Sequence, residues 1–307
     1  MIVLVGPTAS GKTELAAALA VEIGGEVVSA DSRQVYRFLD AATAKPSAEL
    51  RMRVPHWLID VADPSEAYDA ARFAAEASSA VSDIRARGKT PIVCGGTGLY
   101  IRALVEGLSP LPPRDPAVRA RLEALAEKEG AAALHARLMK SDPAAAAAIP
   151  AANLQRVVRA LEVQELTGKT LSENWAAGRE GGVKASAVLR LDASASVLRG
   201  RIERRARAMW PRLLAEVRAL IPSRFTGDEP GFTSLGYRQA RAVLAGGLSD
   251  AEGLCEMLRV TNAYAKRQRT WFRTQLDASP IDADATPDLM LANARKRLEE
   301  IREATTA

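Results

Sequence analysis

The run Val3–Leu19, "VLVGPTASGKTELAAAL", joins an apolar, β-branched segment to a glycine loop and then to a stretch rich in Ala and Leu. Its spacing is Gly6-x-x-x-x-Gly11-Lys12-Thr13. Strand, loop and helix in that order are the context a phosphate-binding loop requires. The cradle comprises Gly6, Pro7, Thr8, Ala9, Ser10, Gly11, Lys12 and Thr13. Its glycines let backbone N–H groups turn inward around an anion, and the helix N-terminus adds partial positive charge. Lys12 adds a full charge, and the Thr13 hydroxyl can ligate Mg²⁺.

Outward from this loop, short apolar runs recur at Glu26–Ser29, Trp57–Val61, Pro91–Cys94 and Ala187–Leu191. Helical patterns at Thr13–Ile23, Ala70–Arg87 and Leu99–Glu106 separate most of them. Strands alternating with helices predict a parallel sheet covered on both faces. The texture changes at "LSPLPPRDP", a proline-rich linker beginning at Leu108. From Ala117 to about Gly178 the chain is rich in Ala, Leu and Arg and lacks strand signals, which predicts a helical insertion. "GREGGVKAS" (Gly178–Ser186) reads as the return linker, and the remainder after the next strand reads as helical. The expected fold is an α/β, P-loop-type parallel sheet core flanked by helices, with a helical insertion domain. Residues 1–113 and 183–307 form the core and 114–182 the insertion.

Of the 307 residues only two are Cys and two are His. Cys94 and Cys255 make no disulfide framework, and the scattered His56 and His135 argue against a zinc site. No run of eighteen apolar residues appears, and no basic leader precedes the first strand. These features predict a cytoplasmic protein with no membrane partner. The net charge of +5 matters less than its distribution. "RVTNAYAKRQRTWFR" (Arg259–Arg273) carries five basic residues and no acidic one, interleaved with Tyr264, Trp271 and Phe272. Cations neutralise phosphates and aromatic rings stack on bases, so a nucleic-acid surface is one reading. A solvated basic helix face with its aromatics buried is the other, and the residues leave both open.

Ligands of open parallel sheets sit at the carboxyl ends of strands. One such end reads "VVSADSRQVY", where Asp31 can be a Mg²⁺ neighbour, a general base or a structural cap. A second reads "PIVCGGTGLY", ending in glycines and Thr97 where an ATPase would carry a carboxylate to prepare water. A neutral hydroxyl suits stabilising a leaving oxygen, which weakens a hydrolase reading. In "ASVLRGRIERRAR" (Ala195–Arg207), Arg201 and Arg205 lie one turn apart. They are either surface charge, like a Glu203–Arg207 pair, or arginines reaching back to the phosphate loop.

Taken in order, "GPTASGKT", "SADSRQVY", "TAKPS", "HWLIDV", "CGGTGLY", "RALEVQELTGKTLSE", "SLGYRQ" and "YAKRQRTWFR" resemble the bacterial tRNA dimethylallyltransferase family from about Ile2 to Arg273. Each motif is moderately specific and the ordered set highly so. The resemblance implies transfer of a dimethylallyl group from its diphosphate to N6 of the adenosine 3′-adjacent to the tRNA anticodon. The loop would then hold a diphosphate leaving group with Mg²⁺, and ATP would not be the substrate. It implies Asp31 as base, Thr97 beside the breaking bond and Arg205 as part of the diphosphate clamp. It also implies RNA contacts at Asp31, Ser32, Arg33, Gln34, Thr97, Arg119, Gln155, Arg156, Val157, Val158, Arg159, Ser234, Gly236, Tyr237, Arg238, Lys266, Arg267, Gln268 and Arg273. The insertion would grip the anticodon stem-loop, and the enzyme would act as a monomer.

The chain departs from the family at "AMWPRLLAEV" (Ala208–Val217), which lacks a usual glycine and is one residue shorter, and at Ala206, where an aromatic is common. The Cys/His finger of eukaryotic relatives is absent. Three other readings compete: a P-loop nucleotide or nucleoside kinase, an ATP-gated RNA-binding protein, and a prenyltransferase of free adenine nucleotides. The insertion and the 259–273 segment favour RNA as acceptor.

Overall fold

A computed structural model of the chain describes residues 1–306. Two compact units emerge: Met1–Val105 with Val183–Ala307, and Glu106–Gly182. The first unit opens with β1 (Ile2–Val5), α1 (Lys12–Ile23), β2 (Gly25–Ser29), α2 (Ala48–Arg53), β3 (His56–Trp57), α3 (Ala70–Ala86), β4 (Thr90–Gly95) and α4 (Gly98–Glu106). The insertion holds α5 (Pro116–Glu129), α6 (Ala131–Ser141), α7 (Pro143–Ala148), α8 (Leu154–Thr167) and α9 (Leu171–Ala176). The chain then resumes with β5 (Ala187–Asp192), α10 (Ala195–Leu220), α11 (Tyr237–Leu244), α12 (Asp250–Thr274), β6 (Ser279–Asp282) and α13 (Pro287–Thr306).

The six strands form one sheet in the order β3-β2-β4-β1-β5-β6, and every pairing is parallel. The two faces follow the strand's period of two. Val3 and Val5 enter one core with α3, α4, α10, α11 and α12 residues, whereas Ile2 and Leu4 enter the other with α1 and α13 residues. The insertion buries its own core around Leu134, Leu138, Val157, Val158 and Val163.

Three boundaries differ from the sequence reading. The expected strand Trp57–Val61 stops at Trp57, because Leu58 and Asp60 take left-handed φ values of 61° and 60°. The C-terminal region is not wholly helical: "SPID" adds β6 at the sheet edge, beside β5. Pro280 hid it, since proline suits a strand only at an edge where its missing N–H is not needed. The insertion unit begins at Glu106 instead of residue 114. Its two connecting segments pair there, with Leu108 and Glu180 exchanging backbone hydrogen bonds of 3.1 and 3.0 Å.

Candidate active site

In the sheet β1 lies between β4 and β5, so the loop Gly6–Thr13 opens at the carboxyl edge between two neighbours. Gly11 caps α1 at φ 88°, a conformation glycine adopts freely. Ala9 adopts φ 65°, which costs a residue with a side chain about 1–2 kcal/mol. Such strain persists where the surroundings enforce it, and Thr8 beside it is held twice. Its N–H donates to Gln268 Oε1 at 2.8 Å, and its hydroxyl accepts from Arg205 Nη2. Arg205 therefore reaches the phosphate loop, while Glu203 and Arg207 form the surface pair one turn away at 2.8 Å. Arg201, the neighbour of Arg205 on the helix, instead donates to the Ala283 carbonyl at 3.0 Å. Helix α10 runs unbroken through Pro211.

Lys12 Nζ folds back to the Pro7 carbonyl at 3.2 Å. Desolvation pushes its ammonium below the ordinary value of 10.5; the Asp31 charge opposes that shift and Arg205 adds to it. Desolvation likewise lowers Arg205, opposed by Asp31 and Glu14. Two desolvated cations at the phosphate loop, opposed only in part by Asp31 and Glu14, suit a multiply charged anion. The buried Cys94 thiol, which donates to the Lys12 carbonyl at 3.5 Å, is pushed up to about 12 by desolvation.

Asp31 follows β2 and accepts a hydrogen bond from the Arg33 N–H at 2.9 Å, one carboxylate oxygen thus closing a local turn. Ser32 N–H donates to Thr97 Oγ1 at 3.0 Å, so the Asp31 loop and the Thr97 loop are joined directly. Gly95 permits this closeness, because a Cβ there would lie 2.1 Å from the Ala30 carbonyl oxygen. Long-range polar contacts brace the Asp31 loop. The Lys45 ammonium, 4% exposed, donates to the Tyr36 carbonyl and to Asp40 and Asp60 at 2.7, 2.5 and 2.5 Å. Tyr237, 1% exposed, donates to Glu216 at 2.6 Å, and Glu216 accepts from the Asp40 and Ala41 N–H groups. Nothing in residue spacing signals these long-range braces.

The expected RNA contacts divide. Ser32, Arg33, Arg238, Lys266, Arg267 and Arg273 are at least partly exposed in the first unit, as are Gln155 and Arg156 in the insertion. Others turn their side chains inward. Gln34 is spent on Ser29 and on the Thr43 and Ala44 carbonyls. Val157 and Val158 are 0% exposed in the insertion core, while Tyr237, Ser234, Gly236 and Gln268 are buried. Arg119 and Arg159 pair with the fully buried Glu162 at 3.3 and 2.9 Å. Arg273 pairs with Asp192 at 3.4 Å. In the basic aromatic segment Lys266 and Arg267 are exposed, whereas Phe272 is buried and Trp271 packs on Gly98. Tyr264, the third aromatic of that segment, lies half-buried with Thr97, Asp31 and Arg33 as polar neighbours, and burial pushes its hydroxyl up to about 12.

The IPP transferase family profile matches residues 34–275. The chain belongs to that family. A tRNA dimethylallyltransferase of Anaeromyxobacter dehalogenans is 48% identical over 97% of this chain and 99% of its own length. One from Sorangium cellulosum is 49% identical over 90% and 88%. Among solved structures, the full-length tRNA isopentenylpyrophosphate transferase of Bacillus halodurans shares 36% identity with a TM-score of 0.71, covering 100% and 99% of the two chains. A eukaryotic dimethylallyltransferase caught acting on tRNA gives 0.78 at 28% identity, covering 92% of this chain and 73% of that one. The sheet order and phosphate loop of this IPP transferase family member accord with the P-loop-type fold of these neighbours.

Proposed function

We propose that this chain transfers a dimethylallyl group from dimethylallyl diphosphate to N6 of the adenosine immediately 3′ of the tRNA anticodon, releasing diphosphate. The observation that carries it is the pairing of a cationic phosphate loop with a neutral Thr97 at the end of β4. That arrangement suits departure of a diphosphate, and the end of β4 carries no carboxylate of the kind that prepares water in an ATPase. The IPP transferase membership and the names of its relatives support the same reading over the kinase.

The N6 lone pair forms a bond to the allylic carbon as the bond from that carbon to the diphosphate oxygen breaks. Lys12, Arg205 and the loop N–H groups take up the charge of the departing diphosphate. Thr97, its oxygen oriented by the Ser32 N–H, donates toward the leaving oxygen. Asp31 accepts the N6 proton. The target base must leave its stack to reach these groups. A divalent cation, read here as Mg²⁺, would neutralise diphosphate oxygens. Among the described residues no cluster of three or more His, Cys, Asp or Glu could hold an ion. Thr13 at the start of α1 is the protein oxygen suited to it, and such a donor set fits Mg²⁺ carried in with a diphosphate and water.

On this reading the exposed Lys266, Arg267 and Arg238 and the partly buried Arg33 meet RNA phosphates, and Gln155 and Arg156 of the insertion help grip the anticodon stem-loop. Arg119, Arg159, Val157 and Val158 shape that surface from beneath it. The enzyme acts as a monomer in the cytoplasm; no helix among the described residues is long and apolar enough to cross a membrane. Incubation with labelled dimethylallyl diphosphate, Mg²⁺ and bulk tRNA tests the assignment. Label should enter tRNA at a single adenosine; label in free adenine nucleotides, or consumption of ATP instead, would overturn it.

A further inference from the structure

The glycines after β4 are vacated for a helix. A Cβ built on Gly96 would stand 2.4 Å from Gln268 Nε2, and one on Gly98 would stand 2.4 Å from the Trp271 indole. Both neighbours belong to α12, so this loop is shaped to receive that helix. At the contact Gln268 is 6% exposed and uses both ends of its amide. Oε1 accepts from Thr8 N–H at 2.8 Å, and Nε2 donates to the Gly96 carbonyl at 2.8 Å. One rigid, planar group thus joins the phosphate loop to the residue preceding Thr97. The adjacent residues of the same helix, Lys266 and Arg267, face solvent.

We propose that Gln268 is a positioning residue that sets the separation between the phosphate loop and Thr97. The physical case rests on what the two loops must do together. The phosphate loop fixes the diphosphate, and Thr97 must come within about 2.7–3.1 Å of its leaving oxygen. Loops are the mobile parts of a fold, and a glycine-rich one has little of its own to hold it. About 1 Å of misplacement costs on the order of a hundredfold in rate. Glutamine is suited to the task because it offers a donor and an acceptor on one plane. A carboxylate there would keep the Thr8 bond and set an oxygen against the Gly96 carbonyl. An alanine would release both loops. The placement also makes α12 the shared element of the RNA-facing surface and the donor site.

This inference rests on the prenyl-transfer reading for its rate measurement only. Wild type, Gln268→Ala and Gln268→Glu are compared for kcat at saturating donor and tRNA, for tRNA Kd, and for thermal protection by inorganic diphosphate with Mg²⁺. Gln268→Ala should lower kcat about ten- to a hundredfold with tRNA Kd changed less than about threefold. Gln268→Glu should show a similar deficit at pH 8 and recover relative to wild type as pH falls to about 5.5. Protonation gives the carboxyl back its donor, and a donor toward Gly96 is what it lacks. Diphosphate protection should weaken about tenfold in concentration for both variants at pH 8.

A side chain that contacts RNA would raise tRNA Kd and leave kcat intact at saturation, and that result overturns the proposal. So does a Gln268→Glu deficit that is the same at every pH, which is what simple loss of packing gives. Should wild type label no tRNA, the prenyl-transfer reading fails by itself. Diphosphate protection then decides, and undiminished protection in both variants overturns the positioning role. Gln268→Glu preserves side-chain volume, so its pH comparison stands even if Gln268→Ala does not fold.

Discussion

Arg205 donates a hydrogen bond to the Thr8 hydroxyl, bringing the middle of α10 onto the phosphate loop. Desolvation of this guanidinium, opposed chiefly by the charge of Asp31, leaves it poised for an anion. Arg205→Ala should lower kcat/KM for the donor by about a hundredfold or more, the scale of losing a preorganised charge donor. Arg205→Lys should recover only part, because an ammonium lacks the planar fork that grips two phosphate oxygens. Steady-state kinetics with varied dimethylallyl diphosphate checks both, and wild-type kcat/KM in the alanine variant would remove Arg205 from the clamp.

Asp31 serves two ends, since one oxygen closes a turn to the Arg33 N–H. Asparagine keeps that acceptor and removes the base. Asp31→Asn should therefore lose about a hundredfold or more in single-turnover rate, the usual scale for a general base, while melting temperature stays near wild type. If rate and stability instead fall together only in Asp31→Ala, the residue is a turn-former.

Lys12 yields a pH dependence with a definite sign. Its folded-state pKa lies below 10.5 through desolvation, so the unfolded chain holds that proton more tightly. The buried ammonium therefore costs stability at neutral pH, and the cost fades as pH rises from the folded value toward 10.5. Lys12→Met should melt higher than wild type at pH 7 when no diphosphate is present, with the gap narrowing in alkali. Diphosphate reverses the logic: binding favours the charged lysine, so wild-type affinity should weaken as pH climbs through the free-enzyme pKa. Calorimetry across pH 7–10 in two buffers would detect the accompanying proton uptake. A pH-independent affinity would mean that Lys12 does not face the anion.

Lys266 and Arg267 are exposed on α12, whereas Arg273 is engaged with Asp192. Each phosphate neutralised contributes about −0.7 to the log–log salt slope for single strands and −0.9 for duplex. Lys266→Ala with Arg267→Ala should flatten the slope for tRNA by roughly one and a half units. Arg273→Ala should change it less, because its charge is already partly spent. Salt titrations of tRNA binding give the answer, and parallel lines for wild type and the double variant would return this helix face to plain solvent.

The sequence by itself determined the local features. Alternation of apolar runs with helices gave the parallel sheet, and glycine spacing before a helix marked the phosphate loop, because φ, hydrogen-bonding geometry and side-chain period act over a few residues. It also placed Asp31 and Thr97 at strand ends. What only the tertiary structure decided were couplings between distant residues: Thr8 with Arg205 and Gln268, Lys45 with Asp60, and Arg119 and Arg159 with Glu162. Whether a given arginine faces solvent or a buried carboxylate depends on which helix face packs inward. That is set by the sum of many contacts across the fold and by no local pattern. The same holds for β6, whose proline reads against a strand until the sheet supplies an edge for it.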